Sequence, residues 1–207
     1  REWPEQIRTI LTQQVREPAE EHRIGATVAR LTGIEDDVSL LVQRQYEENP
    51  YPRWIRVPLP HKRAATIEEY LRQMFPSADL DRSPKGGTLE ILVAGCGTGQ
   101  QPIRTARQFP KARILAIDLS RSSLVYAIRK TRELGVSSID YAQADLLKLG
   151  SLGRQFDVVE AGGVLHHLAD PWTGWWALLT VLRPGGFMFV GLYSSIARQE
   201  LVGLRKS

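Results

Sequence analysis

The segment Leu89-Glu90-Ile91-Leu92-Val93-Ala94-Gly95-Cys96-Gly97-Thr98-Gly99-Gln100 constrains this chain more than any other. Its first six residues are short and mainly apolar, which reads as a buried strand. A loop with Gly at 95, 97 and 99 follows, and a helix is expected directly after it. Glycine lets a backbone turn sharply and come close to a ligand where a Cβ would clash. The N–H groups of a helix start can hold a carboxylate or phosphate. Taken alone, such a loop is explained about as well by a structural turn.

The flanking pattern supplies the context. From Thr88 onward strand candidates at 89–94, 113–117, 139–142, 156–160 and 187–192 alternate with helix candidates at 100–108, 120–134 and 171–182. Asp170 can cap the last helix, with Pro171 in its first position. Residues 145–154 are expected to hold only a short helix or a loop. Strands alternating with helices imply parallel pairing with right-handed crossovers, hence a three-layer α/β fold. In such folds the ligand lies beyond the carboxyl ends of the strands, where the strand order reverses. Before Thr88 the apolar spacing is helical instead. Ile7, Ile10, Leu11 and Val15 form one stripe, Val38, Leu41, Val42 and Tyr46 a second, and Ile67, Tyr70, Leu71, Met74 and Phe75 a third. Pro4, Pro18 and Asn49-Pro50-Tyr51-Pro52 punctuate these helices. A polar linker over 79–87 separates them from the rest. The chain thus divides into a helical extension with its linker, 1–87, and a ligand-binding core, 88–207, with no internal repeat.

Composition excludes several classes. With 207 residues, 43% hydrophobic and 24% charged, the chain is globular rather than disordered. No apolar run approaches the roughly 18–20 residues of a membrane span, and the first residues lack a signal-peptide core. The cytoplasm is the expected location, with no membrane partner. A single cysteine, Cys96, excludes an internal disulfide and a cysteine-rich zinc site. The net charge of +4 is scattered, with short clusters at His61-Lys62-Arg63 and Arg205-Lys206. This favours a solvated surface; a nucleic-acid partner is permitted but not indicated.

Two acids sharpen the reading. Asp118 ends the second core strand about two dozen residues past the first glycine, where a carboxylate can accept from both hydroxyls of a ribose; a helix-capping role is the plainer alternative. Asp145 follows the third strand and can accept from an adenine amino group while Leu146 packs on the ring; a solvated loop carboxylate is its plainer reading. A nicotinamide dehydrogenase would need glycine at position 100, where this chain has Gln.

These residues, with Gly163-Val164-Leu165-His166-His167-Leu168 and Leu182-Arg183-Pro184-Gly185-Gly186, resemble the class I S-adenosylmethionine-dependent methyltransferases over roughly 88–195. The resemblance implies a Rossmann-like doubly wound sheet of core order 3-2-1-4-5, followed in the family by two further strands. Only residues 194–207 remain for those, so the chain reads as a piece of a longer protein with strands 6 and 7 missing. S-adenosylmethionine, leaving as S-adenosylhomocysteine, is the implied cofactor, and no metal is called for. By the same resemblance it is held by Ala94, Gly95, Cys96, Gly97, Thr98, Gly99, Gln101, Asp118, Leu119, Asp145 and Leu146. Glu160, Ala161 and Gly162 belong to the same set, and the segment from Glu160 to His166 lines its methyl-donor end.

The aromatic segment Gln45-Tyr46-Glu47-Glu48-Asn49-Pro50-Tyr51-Pro52-Arg53-Trp54 resembles one preceding the methyltransferase domain in bacterial tetratricopeptide-repeat proteins, some similar to protein-lysine methyltransferases. Tyr46, Tyr51 and Trp54 are candidates for a lid or substrate entrance; the alternative is that they staple helices to the sheet. His166 and His167 are candidate bases, or else caps of the loop before Asp170. The Asn/Asp-Pro-Pro-aromatic loop of planar-amine methylation is replaced by Glu160-Ala161-Gly162-Gly163, and Cys96 is committed to the cofactor loop. An oxygen, aliphatic nitrogen or carbon acceptor on a small molecule or protein remains, with protein lysine preferred. The other readings are a non-catalytic S-adenosylmethionine-binding sensor or assembly module, and an RNA methyltransferase, which predicts steeply salt-dependent binding.

Overall fold

Ile91, Leu92, Val93 and Ala94 have no solvent exposure at all, so strand β2 (Glu90–Ala94) must lie mid-sheet with cover on both faces. Strand geometry sends alternate side chains to opposite faces. Ile91 and Val93 join one apolar cluster with Ile114, Ala116, Phe109 and Leu124. Leu92 and Ala94 join the other, with Leu115, Ile117, Leu149, Phe156, Leu165 and Leu178. These observations come from a computed structural model that describes residues 3–57, 66–78, 80 and 87–194. Most of the expected linker, both basic clusters and residues 195–207 lie outside the described residues.

Among the described residues the sheet has six parallel strands: β1 (Ala29–Arg30), β2, β3 (Arg113–Asp118), β4 (Ile139–Gln143), β5 (Phe156–Gly162) and β6 (Leu182–Gly191). Their spatial order is β1-β4-β3-β2-β5-β6. Counted from β2, the core order is the expected 3-2-1-4-5, and the direction of winding reverses between β2 and β5. Helices α5 (Gln100–Gln108), α6 (Arg121–Glu133) and α7 (Pro171–Thr180) form the crossovers, with a 3-10 stretch at Leu146–Leu152. Ser120 caps α6 through Ser123 N–H, and Asp170 caps α7 through the N–H groups of Trp172 and Thr173.

Three expectations need correction. Strand β1, only two residues long and paired with Ala142 and Gln143, adds an edge strand too short to carry any periodicity. Strand β6 begins at Leu182 rather than 187, its pairing jumping from Phe156–Leu182 to Val158–Phe187 so that residues 183–186 bulge. The third concerns the first helical stripe. Helices α1 (Glu5–Leu11) and α2 (Glu17–Gly25) are joined by a π turn at Thr12–Arg16. Ile7, Ile10, Leu11 and Val15 remain exposed, because α1 buries no residue and the run first reaches the core at Ile24. Leu41, Met74 and Phe75 are likewise exposed, although their helices α3 (Asp37–Glu48) and α4 (Ile67–Met74) dock through other residues.

Candidate active site

The carboxyl ends of β4, β3, β2 and β5 open onto one cleft of about 350 Å3, roofed by α3 and by residues 51–52. Two glycines of the loop after β2 serve different ends there. Gly99 has φ +88°, and a Cβ on it would sit 2.6 Å from Ala127 Cβ, so α5 and α6 can approach only with glycine at this point. Gly97 has φ +51°, but a Cβ there would meet nothing closer than the Tyr51 carbonyl at 3.8 Å. Its α-carbon therefore faces a space that the protein leaves clear.

Asp118, at the end of β3, braces this loop. Its Oδ2 accepts from Gly97 N–H at 2.7 Å and its Oδ1 from Ser120 N–H at 2.9 Å. Burial raises the carboxyl above its ordinary range, against the pull of those N–H groups. Asp145, after β4, is fully buried. Its Oδ1 accepts from Leu147 N–H at 2.9 Å, and its own N–H donates to Thr32 Oγ1 at 2.8 Å. Its Oδ2 has no hydrogen-bond partner. Burial raises this carboxyl too, and the N–H of Leu147 and the neighbouring Ser39 hydroxyl pull it back down. An orphaned buried acceptor costs about 1–3 kcal/mol, more when charged, and a ligand donor would relieve it.

Of the residues singled out from sequence, Gly95, Cys96, Gly97, Thr98, Gln101, Asp118, Leu119, Asp145, Leu146, Gly162, Tyr46, Tyr51 and His167 line the cleft. Six do not. Ala94 and Ala161 are sealed in the core, and Gly99 packs on Ala127. Glu160 points toward α5, where its Oε2 accepts from Gln101 Nε2 at 3.0 Å and Thr105 Oγ1 at 2.8 Å. His166 lies behind His167, its ring 3.9 Å from that of Tyr193. Trp54 is no lid. It is buried beneath the glycine loop, its indole N–H donates to the Thr98 carbonyl at 3.0 Å, and its own carbonyl accepts from Tyr126 Oη at 2.7 Å.

Tyr46 does reach the cleft, with Oη 3.4 Å from His167 Nε2 and its ring edge-on to the imidazole. What holds it there escaped the sequence reading: the Glu47 carboxylate caps the start of α6 from outside that helix. It accepts from Ser122 N–H at 2.6 Å, Arg121 N–H at 3.1 Å and Ser120 Oγ at 3.2 Å. With the partners 73 to 75 positions apart in sequence, no local signal announces the contact. Glu47→Ala is expected to lower stability by about 1–2 kcal/mol, the usual worth of a helix cap with favourable dipole. Denaturant unfolding, with amide exchange at Arg121 and Ser122, measures this; unchanged exchange there would contradict it.

Among the described residues, no cluster of three or more His, Cys, Asp or Glu could hold a metal ion, and no helix is long and apolar enough to cross a membrane.

Known proteins match this architecture. Residues 91–186 match the methyltransferase domain family. An uncharacterized protein of Synechococcus sp. is 35% identical over 170 residues, 80% of this chain and 40% of its own length. The malonyl-(acyl-carrier protein) O-methyltransferase of Hahella chejuensis is 33% identical over 126 residues, 60% of this chain and 43% of that enzyme. The chain thus spans about two fifths of the length of these curated relatives. Of solved structures, the cyclase SpnF superposes with a TM-score of 0.52 at 25% identity, over 79% of this chain and 61% of that one. PKMT2 of Rickettsia typhi in complex with AdoHcy gives 0.56 at 21% identity, over 72% of this chain and 30% of that one, a likeness of fold. The family match runs from the first core strand into the last, and over that stretch the chain is similar to the class I S-adenosylmethionine-dependent methyltransferases.

Proposed function

We propose that the cleft binds S-adenosylmethionine and that the protein directs its methyl group to a nitrogen or oxygen nucleophile, a protein lysine being the favoured acceptor. The observation that carries the cofactor half is Asp145 Oδ2, a buried acceptor without a partner on the wall of a cleft. An adenine amino group donating to it, with Leu146 against the ring, satisfies that atom. Asp118 is the ribose acceptor in this reading, and the clear space over Gly97 admits the ligand.

Bound S-adenosylmethionine supplies an electrophilic methyl on a cationic sulfonium, so the protein needs to add only position and, for some acceptors, a base. Holding two reactants in line is worth up to roughly 7–11 kcal/mol of barrier. His167 is the candidate base. Burial lowers its imidazole below the ordinary value, which keeps it neutral at pH 7, and Tyr46 orients it. Exclusion of water by Tyr46, Tyr193 and Leu168 would also keep a lysine amine neutral and nucleophilic. The lysine preference rests on this apolar, aromatic end of the cleft and on the likeness of segment 45–54 to the protein-lysine-like group. A cytoplasmic location belongs to the same reading. An oxygen acceptor is the second reading, favoured by relatives named as O-methyltransferases of malonyl-(acyl-carrier protein) and of ubiquinone biosynthesis.

Calorimetric titration with S-adenosylmethionine, S-adenosylhomocysteine and NAD tests the first half, and transfer of labelled methyl to lysine peptides and to small hydroxyl and carboxyl compounds tests the second. Saturable binding of both sulfur ligands but not NAD, with label on peptide lysine, is expected. Binding with no transfer to any acceptor would favour the sensor or assembly module. A folded sample that binds neither sulfur ligand would sink the reading.

The state of His167 can be checked without an acceptor. Its folded pKa lies below the unfolded value of about 6.5, so the unfolded chain binds the proton more readily. The group's contribution to stability is complete above pH 6.5 and is lost as pH falls below it. Imidazole resonances of His167 should titrate with a midpoint under 6.5 and vanish in His167→Asn; a midpoint above 6.5 would remove the support for a neutral base.

A further inference from the structure

Glu160 is a half-buried carboxylate beside the cleft that the proposed reaction does not use. Gln101 and Thr105 sit one turn apart on α5, so both side chains reach it from the same helix face. An ionised carboxylate can only accept, whereas a primary amide has one donating and one accepting end. The 3.0 Å bond from Gln101 Nε2 to Glu160 Oε2 therefore fixes which way the amide points. Its NH2 is turned back to Glu160 and its carbonyl forward. The geometry at Gly162 agrees: a Cβ built there would lie 3.0 Å from Gln101 Oε1 and 3.6 Å from Nε2. Gln101 and Gly162 line the cleft, while Glu160 does not. Any side chain at 162 would crowd the carbonyl oxygen.

The sheet order says which part of a ligand that oxygen meets. Asp145 follows β4, Asp118 follows β3, the glycine loop follows β2 and Gly162 ends β5, in that spatial sequence. With adenine at Asp145 and ribose at Asp118, as the proposed function has it, the amino-acid tail of the donor falls on the β2–β5 side. That tail carries a cationic ammonium, a donor suited to a fixed amide oxygen backed by a carboxylate. Resting on that reading, we propose that Gln101 Oε1 accepts a hydrogen bond from the α-ammonium group of the methyl donor, and that Glu160 is the positioning residue that holds the amide in this orientation.

The test compares two ligands that differ only at this end. S-adenosylhomocysteine carries the amino-acid tail; 5′-methylthioadenosine has the same adenosine and sulfur without it. Both are titrated calorimetrically into the full chain, into Gln101→Ala and into Glu160→Gln, an isosteric change that frees the amide to turn. Each variant is expected to bind S-adenosylhomocysteine about tenfold more weakly, the worth of one hydrogen bond to a charged group. Binding of 5′-methylthioadenosine should stay within about twofold, which also shows that the adenosine end of the cleft remains folded. Equal losses for both ligands would mean that the pair only supports the fold, and an unchanged affinity for S-adenosylhomocysteine would mean that the amide meets no ammonium; either overturns the proposal alone. Failure of the unmodified chain to bind either ligand would overturn the cofactor reading with it.

Discussion

Asp118→Asn is expected to weaken S-adenosylhomocysteine binding by at least about a hundredfold while leaving the protein folded. The carboxylate presents two acceptors, and both are occupied, by Gly97 N–H and Ser120 N–H. Asparagine keeps one acceptor and replaces the other with a donor, so one of those N–H groups must face an NH2. If the displaced partner is Gly97, the residue that faces the cleft moves with it. The proposed bonds to the ribose hydroxyls weaken at the same time, since a charged acceptor becomes neutral. Each effect is worth about 1.5–3 kcal/mol where a charged hydrogen bond is concerned. Together they make about 3–5 kcal/mol, or from a hundredfold to a few thousandfold in affinity.

Stability should respond far less, and its sign follows from the titration of Asp118. Burial raises the native carboxyl above its unfolded value, so the native state binds the proton more tightly. Stability then falls as pH rises from the unfolded value, near 3.9, to the raised one, and at neutral pH ionisation of this group opposes folding. A neutral asparagine is spared that cost, which offsets part of the lost hydrogen bonding. Calorimetry with thermal unfolding separates the two effects. A loss of affinity under about fivefold would remove Asp118 from the binding machinery. A loss of affinity matched by equal destabilisation would make it a structural brace alone.

The parts of this molecule visible in the linear chain are those whose cause is local. The strand–glycine–helix run at 89–100 and the alternation of strands and helices point to parallel pairing through chain periodicity, while the core order, which agrees with the observed one, comes only from the family resemblance. The acids at the ends of β3 and β4 are legible because strand ends in such a sheet converge on one cleft. Orientation at a strand end is a finer matter. Side chains alternate residue by residue, so Ala161 turns into the core, Glu160 toward α5 and Gly162 toward the cleft, and nothing in Glu160-Ala161-Gly162 says which is which. Trp54 shows the same limit. Its aromatic character marks it as important, but only the packing of α6 shows that it lies under the loop rather than over the cleft. Glu47 and the short strand β1 act across long sequence separations, where composition carries no trace of the partner.

The N-terminal helices offer the second large effect, because a buried cation ties α2 to α6. Arg129 of α6 has a side chain only 5% exposed and meets Glu17 at 3.1 Å and Glu21 at 2.9 Å on α2, with Glu133 of its own helix at 3.5 Å. Its guanidinium also lies over the Tyr126 ring, 5.0 Å from the centroid. Arg129→Met keeps much of the volume but strands two partly buried carboxylates beside each other. Breaking a fully buried ion pair costs about 3–5 kcal/mol. Glu17 and Glu21 retain some solvent and Arg53 stands 3.6 Å from Glu21, so about 2–4 kcal/mol is expected. For a chain of this length that amounts to a fall of roughly 5–15 °C in the unfolding midpoint. Amide exchange should show where the loss falls: protection is expected to drop in α2 and α3 before β2–β5. The consequence reaches the cleft by two routes. Helix α3 brings Ser39, Val42 and Tyr46 to it, and Tyr126 links Arg129 through the Trp54 carbonyl and indole to Thr98 of the glycine loop. Ligand affinity should therefore fall along with α2 protection, and added S-adenosylhomocysteine should restore part of both. Exchange that rises equally in helices and central strands would show that the extension has no separable opening, and an unchanged midpoint would show that the ion cluster contributes nothing to docking.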